Sequence, residues 1–117
     1  MTGVQTCALP ILVLVTCGTL EEARKIARAV VERRLAACVN VVTHAIESFY
    51  TWKDKVEDSS EYLLIIKTST ERLAELEREV LNLHSYDTPE FVVLPIVSGS
   101  EAYLSWLGAS VESRGTL

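Results

Sequence analysis

Glycine, proline, cysteine and histidine are all scarce in this chain, with five, three, three and two copies, and each scarcity narrows the possible functions. The five glycines form no G-x-G-x-x-G or Walker-type loop that could cradle a phosphate. G-x-S-x-G and H-E-x-x-H are absent as well. Cysteines without close spacing make neither a disulfide framework nor a C-x-x-C zinc site, and a reducing, cytoplasmic setting fits them best. Eleven basic residues against sixteen acidic ones leave a net charge of −5 and no basic stripe to neutralise nucleic-acid phosphates. Apolar runs are only strand-sized, far short of a membrane span. Repeats, linkers and low-complexity tracts are also missing, so the 117 residues are expected to form one domain with one core.

The chain is, in contrast, rich in amphipathic pattern. Met1–Ile11 lacks the basic start and long apolar stretch of a signal peptide. Thr2–Ile11 matches what a widely used sequencing adapter encodes when read in frame. Residues 1–11 are therefore expected to be an assembly scar, the alternative being a native N-terminal arm. The domain proper is placed at residues 12–111, and residues 112–117 are expected to form a loose tail.

Leu12–Thr16 reads as a buried strand. Thr19 and Glu22 form a capping-box pattern, followed at helical spacing by Ala23, Ile26, Ala27, Val30 and Val31. Ala37–Trp52 holds many β-branched and aromatic residues with no proline or glycine. It reads as one long strand, or as two joined at a bend near Thr43. Lys53–Lys55 is a polar turn, and Val56–Thr68 returns as a second long strand. Thr68 and Glu71 repeat the capping pattern ahead of a helix marked by Leu73, Leu76, Val80 and Leu83. Residues 85–89 are a loop, and Phe91–Val97 is a buried strand whose Pro95 marks an edge. Ser98 and Glu101 are expected to cap a last helix carrying Tyr103, Leu104, Trp106 and Leu107.

The order β-α-β-β-α-β-α implies an α+β, ferredoxin-like βαββαβ sandwich with an extra C-terminal helix. Both main helices should cover one face, over strand order 4-1-3-2. A strand of about 16 residues spans roughly 50 Å, whereas a domain of this size is only ~35 Å across. The second and third strands must therefore bend sharply or project as a hairpin. A projecting hairpin carrying Phe49, Tyr50 and Trp52 needs a partner to cover it, which points to oligomerisation.

Several blocks together resemble the CutA family of divalent-cation-tolerance proteins. They are Val13–Thr16, Arg34–Asn40 with its L-A-A-C, Ser48–Lys53 with Y-x-W, Leu64–Thr68, Leu83–Glu90 with H-x-Y-D-T-P-E, and Tyr103–Leu107. The resemblance runs from about Leu12 to Val111. It implies ferredoxin-like subunits assembled into homotrimers through long hairpins, and binding of divalent metals, copper especially. By analogy with PII signalling trimers it also admits a sensing role. The family usually shows His-Pro-Tyr where this chain has His84-Ser85-Tyr86, which questions the rigidity of that loop.

Strand order places Cys17, His84, Tyr86 and Glu90 at one end of the sheet. Cys17, His84 and Glu90 form a thiol, imidazole and carboxylate set suited to copper or zinc. The competing readings are that His84 caps its helix and Cys17 fills a gap. Cys38 reads as a small core residue and His44 as a surface or interface position. Lys67 ends an apolar strand and needs an anion. Either Glu90, from this or a neighbouring subunit, supplies it, or Lys67 belongs to an inter-subunit cleft with Tyr50, Trp52 and Tyr86. The expected function is that of a metal-binding homotrimer contributing to metal tolerance, not an enzyme. The alternatives are a PII-like trimer taking an anionic ligand, and a structural scaffold.

Overall fold

A computed structural model describes residues 8–112, so most of the expected scar and all but Glu112 of the expected tail lie outside the described residues. Strand β1 (Pro10–Cys17) begins two residues earlier than the hydrophobic run suggests. Pro10 and Ile11 pair with Ser69 and Thr68 through backbone groups, which ask little of side-chain type. Ile11, Val13, Val15 and Cys17 alternate into the core, all at 4 % exposure or less.

Thr19 caps helix α1 (Leu20–Glu32), its hydroxyl accepting from the Glu22 N–H at 3.1 Å. The reciprocal half of the capping box is replaced by a longer reach, because the Glu22 carboxylate takes both donors of Ser85. Ala23, Ile26 and Val30 are buried and Ala27 packs beside them, whereas Val31 is exposed at the margin of the stripe. Arg34 adopts φ 61° just past the helix, and the Leu35 N–H closes back on the Val30 carbonyl. That left-handed step drops Leu35 and Ala36 into the core.

The long apolar segment divides, as the second of the two sequence readings has it. Strand β2 (Cys38–Val41) is followed by a break at residues 42–45 and then by β3 (Ile46–Trp52). Lys53 and Asp54 both have positive φ, 52° and 66°, the backbone of a type I′ two-residue hairpin turn. Strand β4 (Lys55–Ser69) then serves two roles along its 15 residues. Its first half pairs only with β3. Its second half lies between β1 and β2 and buries Leu64 and Ile66 completely.

Thr68 is no helix cap. It is a buried strand residue whose hydroxyl donates to the Leu35 carbonyl at 2.7 Å. A 3-10 turn (Thr70–Arg72) leads into α2 (Leu73–Leu83), where Leu76 and Val80 are buried and Leu73 and Leu83 flank them. Strand β5 (Val92–Pro95) pairs with β1 on one side only, so its apolar side chains are exposed instead of buried. Ser100, and not Ser98, caps α3 (Glu101–Ser110), accepting from the Tyr103 N–H. Only Leu107 is buried within α3, while Tyr103 and Trp106 face outward.

The sheet order β2-β4-β1-β5, with β3 extending β2, is the expected 4-1-3-2, and all neighbours are antiparallel. Helices α1 and α2 share one core with the inward residues of β1 and β4, as an α+β sandwich requires. The other sheet face carries Leu12, Leu14, Leu63, Ile65, Val92 and Leu94 by register. The β3–β4 hairpin stretches the chain to 54 × 30 × 26 Å, with a radius of gyration of 15.7 Å. A compact chain of this length would have about 13 Å. The hairpin therefore projects and does not curl back.

Candidate functional site

Three elements converge at the end of the sheet where β1 meets the first turn of α1. Cys17 closes β1 and is fully buried, Glu22 lies in the first turn of α1, and His84 follows the last turn of α2. Their ligand-type atoms lie within 4.8 Å of one another. The third member beside Cys17 and His84 is thus Glu22, where the sequence suggested Glu90.

Two of the three, His84 and Glu22, already have hydrogen-bond partners. The Tyr86 N–H donates to His84 Nδ1 at 3.1 Å, so Nδ1 carries the lone pair and the ring is the neutral Nε2–H tautomer. That Nε2–H donates to the Thr16 carbonyl at 2.8 Å. The imidazole therefore bridges two segments and does not cap its own helix. Glu22 accepts from the Ser85 N–H at 2.7 Å and from the Ser85 hydroxyl at 3.0 Å. A proline at position 85 could supply neither donor, so this serine ties the loop to α1 instead of loosening it. Burial pushes the Cys17 thiol up to about 12, and the charges of Glu22 and Glu61 add to the effect.

Tyr86 links this cluster to a second feature. Its ring packs against His84 at 4.7 Å between centroids, and its hydroxyl donates to Glu61 Oε2 at 3.0 Å. Burial and that bond hold the hydroxyl protonated far above its usual range. Gly18 makes this placement possible, because a Cβ there would lie 3.1 Å from the Tyr86 hydroxyl. Beyond Tyr86 opens a cavity of about 740 Å³ between β3 of the hairpin and the 86–90 loop. Ser48, Phe49, Tyr50 and Trp52 of β3, Thr16, Glu61 and residues 86–90 line it. Desolvation and the Glu61 charge raise the Glu90 carboxyl above the usual range.

The sequence-derived residues thus fall into three places. Cys17 and His84 come together in the cluster. Tyr50, Trp52, Tyr86 and Glu90 come together around the cavity. Lys67 joins neither: it lies on the open sheet face and hydrogen-bonds Asn40. Cys38 is half-buried in β2, outside the main core, and His44 is exposed in the break before β3. Sequence reasoning missed Glu22, whose cap position concealed its reach to the next loop. It also missed Glu61, a carboxylate at only 8 % exposure. The available signal was an acid directly preceding the apolar run Tyr62–Ile66.

The family model described as CutA1 divalent ion tolerance protein matches residues 11–110. The divalent-cation tolerance protein CutA of Thermus thermophilus is 47 % identical over 96 residues, which cover 82 % of this chain and 92 % of that protein. The solved structure of CutA1 from Oryza sativa superposes with a TM-score of 0.86 at 43 % identity, covering 93 % of this chain and all of that one. The structure of the periplasmic divalent cation tolerance protein CutA from Archaeoglobus fulgidus gives 0.85 at 39 % identity, covering 89 % and 100 %.

Proposed function

This chain belongs to the CutA1 divalent ion tolerance family, and from that premise we propose that it binds a divalent metal ion, of the copper or zinc type, through Cys17, Glu22 and His84. The convergence of their donor atoms within 4.8 Å is the observation that carries this reading. A thiol, an imidazole and a carboxylate suit soft to borderline metals. The Nε2–H bond to the Thr16 carbonyl is the kind of outer contact that orients a ligating imidazole and leaves Nδ1 as its donor atom. Taking up the ion would displace the Tyr86 N–H from Nδ1 and require the Cys17 proton to leave.

The working form is a homotrimer in a cytoplasmic, reducing compartment. The half-buried apolar face of β1 and β4, the exposed β5 residues Val92 and Leu94 and the projecting hairpin, where Phe49 is 67 % and Val56 79 % exposed, support assembly. Cys17 and Cys38 are both free, which fits such a compartment. Among the described residues no helix is long and apolar enough to cross a membrane.

The chain acts by binding and not by catalysis. A Cys17–His84 nucleophile and base would need a free imidazole lone pair and an accessible thiolate. Both ring nitrogens are engaged with the backbone and the thiol is raised to about 12, and without a bound cation nothing offsets undoing either. An anionic ligand in a PII-like cleft is less well supported, because the described lining residues include no lysine or arginine.

Calorimetric titration of wild type, Cys17→Ala and His84→Ala with Zn(II) and Cu(II) tests the reading. Micromolar or tighter binding, one ion per chain and lost in both variants, is expected. Weak binding indifferent to both substitutions would discard it.

A further inference from the structure

The neutral imidazole of His84 has one lone pair, on Nδ1, and two claimants for it. The Tyr86 N–H holds it at 3.1 Å, and as a metal ligand His84 must give the same lone pair to the ion. Both demands cannot be met at once, so the 84–86 loop has two arrangements to choose between. Tyr86 is fastened at two further points. Its ring packs on His84 with centroids 4.7 Å apart, and its hydroxyl donates to Glu61 Oε2 at 3.0 Å. Glu61 stands at a junction in β4. It is the last residue of that strand paired with β3, opposite Ile46, and the next, Tyr62, is the first paired with β1, opposite Cys17. The root of the hairpin and the strand that carries the thiol therefore meet at adjacent residues, one of which accepts from the Tyr86 hydroxyl.

We infer that Tyr86 is the positioning residue of a metal-responsive switch. His84 gives Nδ1 either to the Tyr86 N–H, which keeps the Tyr86 hydroxyl on Glu61 and the hairpin root in place, or to a metal ion, which frees both. The switch rests on the metal reading of Cys17, Glu22 and His84 and adds to it a destination for the signal. Coupling of this kind is reciprocal. Whatever metal uptake takes from the Tyr86–Glu61 contact, loss of that contact returns as tighter metal binding, by the same factor. A tyrosine that merely braced the site would act in the opposite sense, because loosening the outer contacts of a metal site weakens its hold on the ion.

The test combines zinc titration with hydrogen exchange on the full chain, for wild type, Tyr86→Phe and Cys17→Ala. Phenylalanine keeps the ring and the N–H of residue 86 and removes only the hydroxyl. Tyr86→Phe should bind zinc at least about fivefold more tightly than wild type. In wild type, zinc should lower amide protection at residues 46–48 and 59–61, the paired root of the hairpin, by at least about fivefold. Zinc should leave protection there unchanged in Tyr86→Phe, where the contact is already gone, and in Cys17→Ala at a concentration that saturates only wild type. Gly18→Ala reaches the same contact independently, because its Cβ would stand 3.1 Å from the Tyr86 hydroxyl and crowd it. It should tighten zinc binding in the wild-type background and add nothing in Tyr86→Phe. Zinc bound through Cys17 and His84 with equal or lower affinity in Tyr86→Phe would overturn the switch and leave the metal reading standing. Unchanged protection at the hairpin root of zinc-loaded wild type would do the same. No zinc binding by folded wild type would overturn both.

Discussion

If Cys17 is a metal ligand, its burial makes metal uptake a proton-releasing event with a calculable pH dependence. The thiol is pushed up to about 12, chiefly by desolvation. Neutral pH lies about five pH units below that value, so forming the thiolate costs ~7 kcal/mol at 1.36 kcal/mol per unit. The bound state needs the thiolate, whereas the free state holds the thiol. Apparent affinity must therefore rise with pH, about tenfold per unit between pH 7 and 9, and fall as the solution is acidified. Zinc is the ion to use, since it has no redox chemistry to oxidise the thiol. Calorimetry in several buffers of different ionisation enthalpy should report close to one proton released per ion. In Cys17→Ala the slope and the proton should both disappear, leaving weak binding through the remaining donors. A wild type whose affinity is flat over this range, or a variant that keeps the slope, would refute the argument.

Other consequences are open to test. Ser85→Pro is compatible with His84 at φ −79° and ψ 142°, but it removes both donors from Glu22. Freed of them, the carboxylate should bind zinc about fivefold more tightly, from ~1 kcal/mol of lost competition, and calorimetry against wild type would show it. Asp54→Gly should stabilise the hairpin by ~0.5 kcal/mol, because Asp54 sits at φ 66°, whereas Asp54→Val should destabilise it; hydrogen exchange along residues 46–61 reads both. Ile26→Ala, at a fully buried site between α1 and the sheet, should cost ~2–5 kcal/mol, seen as a lower guanidinium midpoint at fixed protein concentration. Val92→Asp with Leu94→Asp places two charges on the open sheet face, and sedimentation should show smaller species than wild type if that face is the subunit interface.

Much of the architecture was legible before any coordinates because it depends on local periodicity. The spacing of Ala23, Ile26 and Val30 and of Leu76 and Val80 marks two helices, each with a face that must be buried. Strand length required the hairpin either to bend sharply or to project, and the structure shows that β4 carries it outward. Misreadings gathered where one local pattern had two uses. Thr68 precedes Glu71 by three residues, as a cap would, yet the sheet claims it because the Leu35 carbonyl needs a donor there. Val92–Leu94 is apolar like a buried strand, but its place at the sheet edge leaves it open in the single chain.

The pairing of Cys17 with His84 follows from strand order, so the sequence itself determined that half of the candidate site. Only the tertiary structure decided that Glu22 completes it and that Glu90 faces the neighbouring cavity. It also decided that Lys67 stands apart from both. Backbone periodicity specifies which face a residue occupies. Which of several nearby carboxylates turns toward a given thiol depends on donors such as the Ser85 N–H and the Tyr86 hydroxyl. Those donors lie 63 and 25 residues away from the acids they engage, Glu22 and Glu61. Contacts of that range are set by how helices and loops meet over the sheet, and no local pattern encodes them.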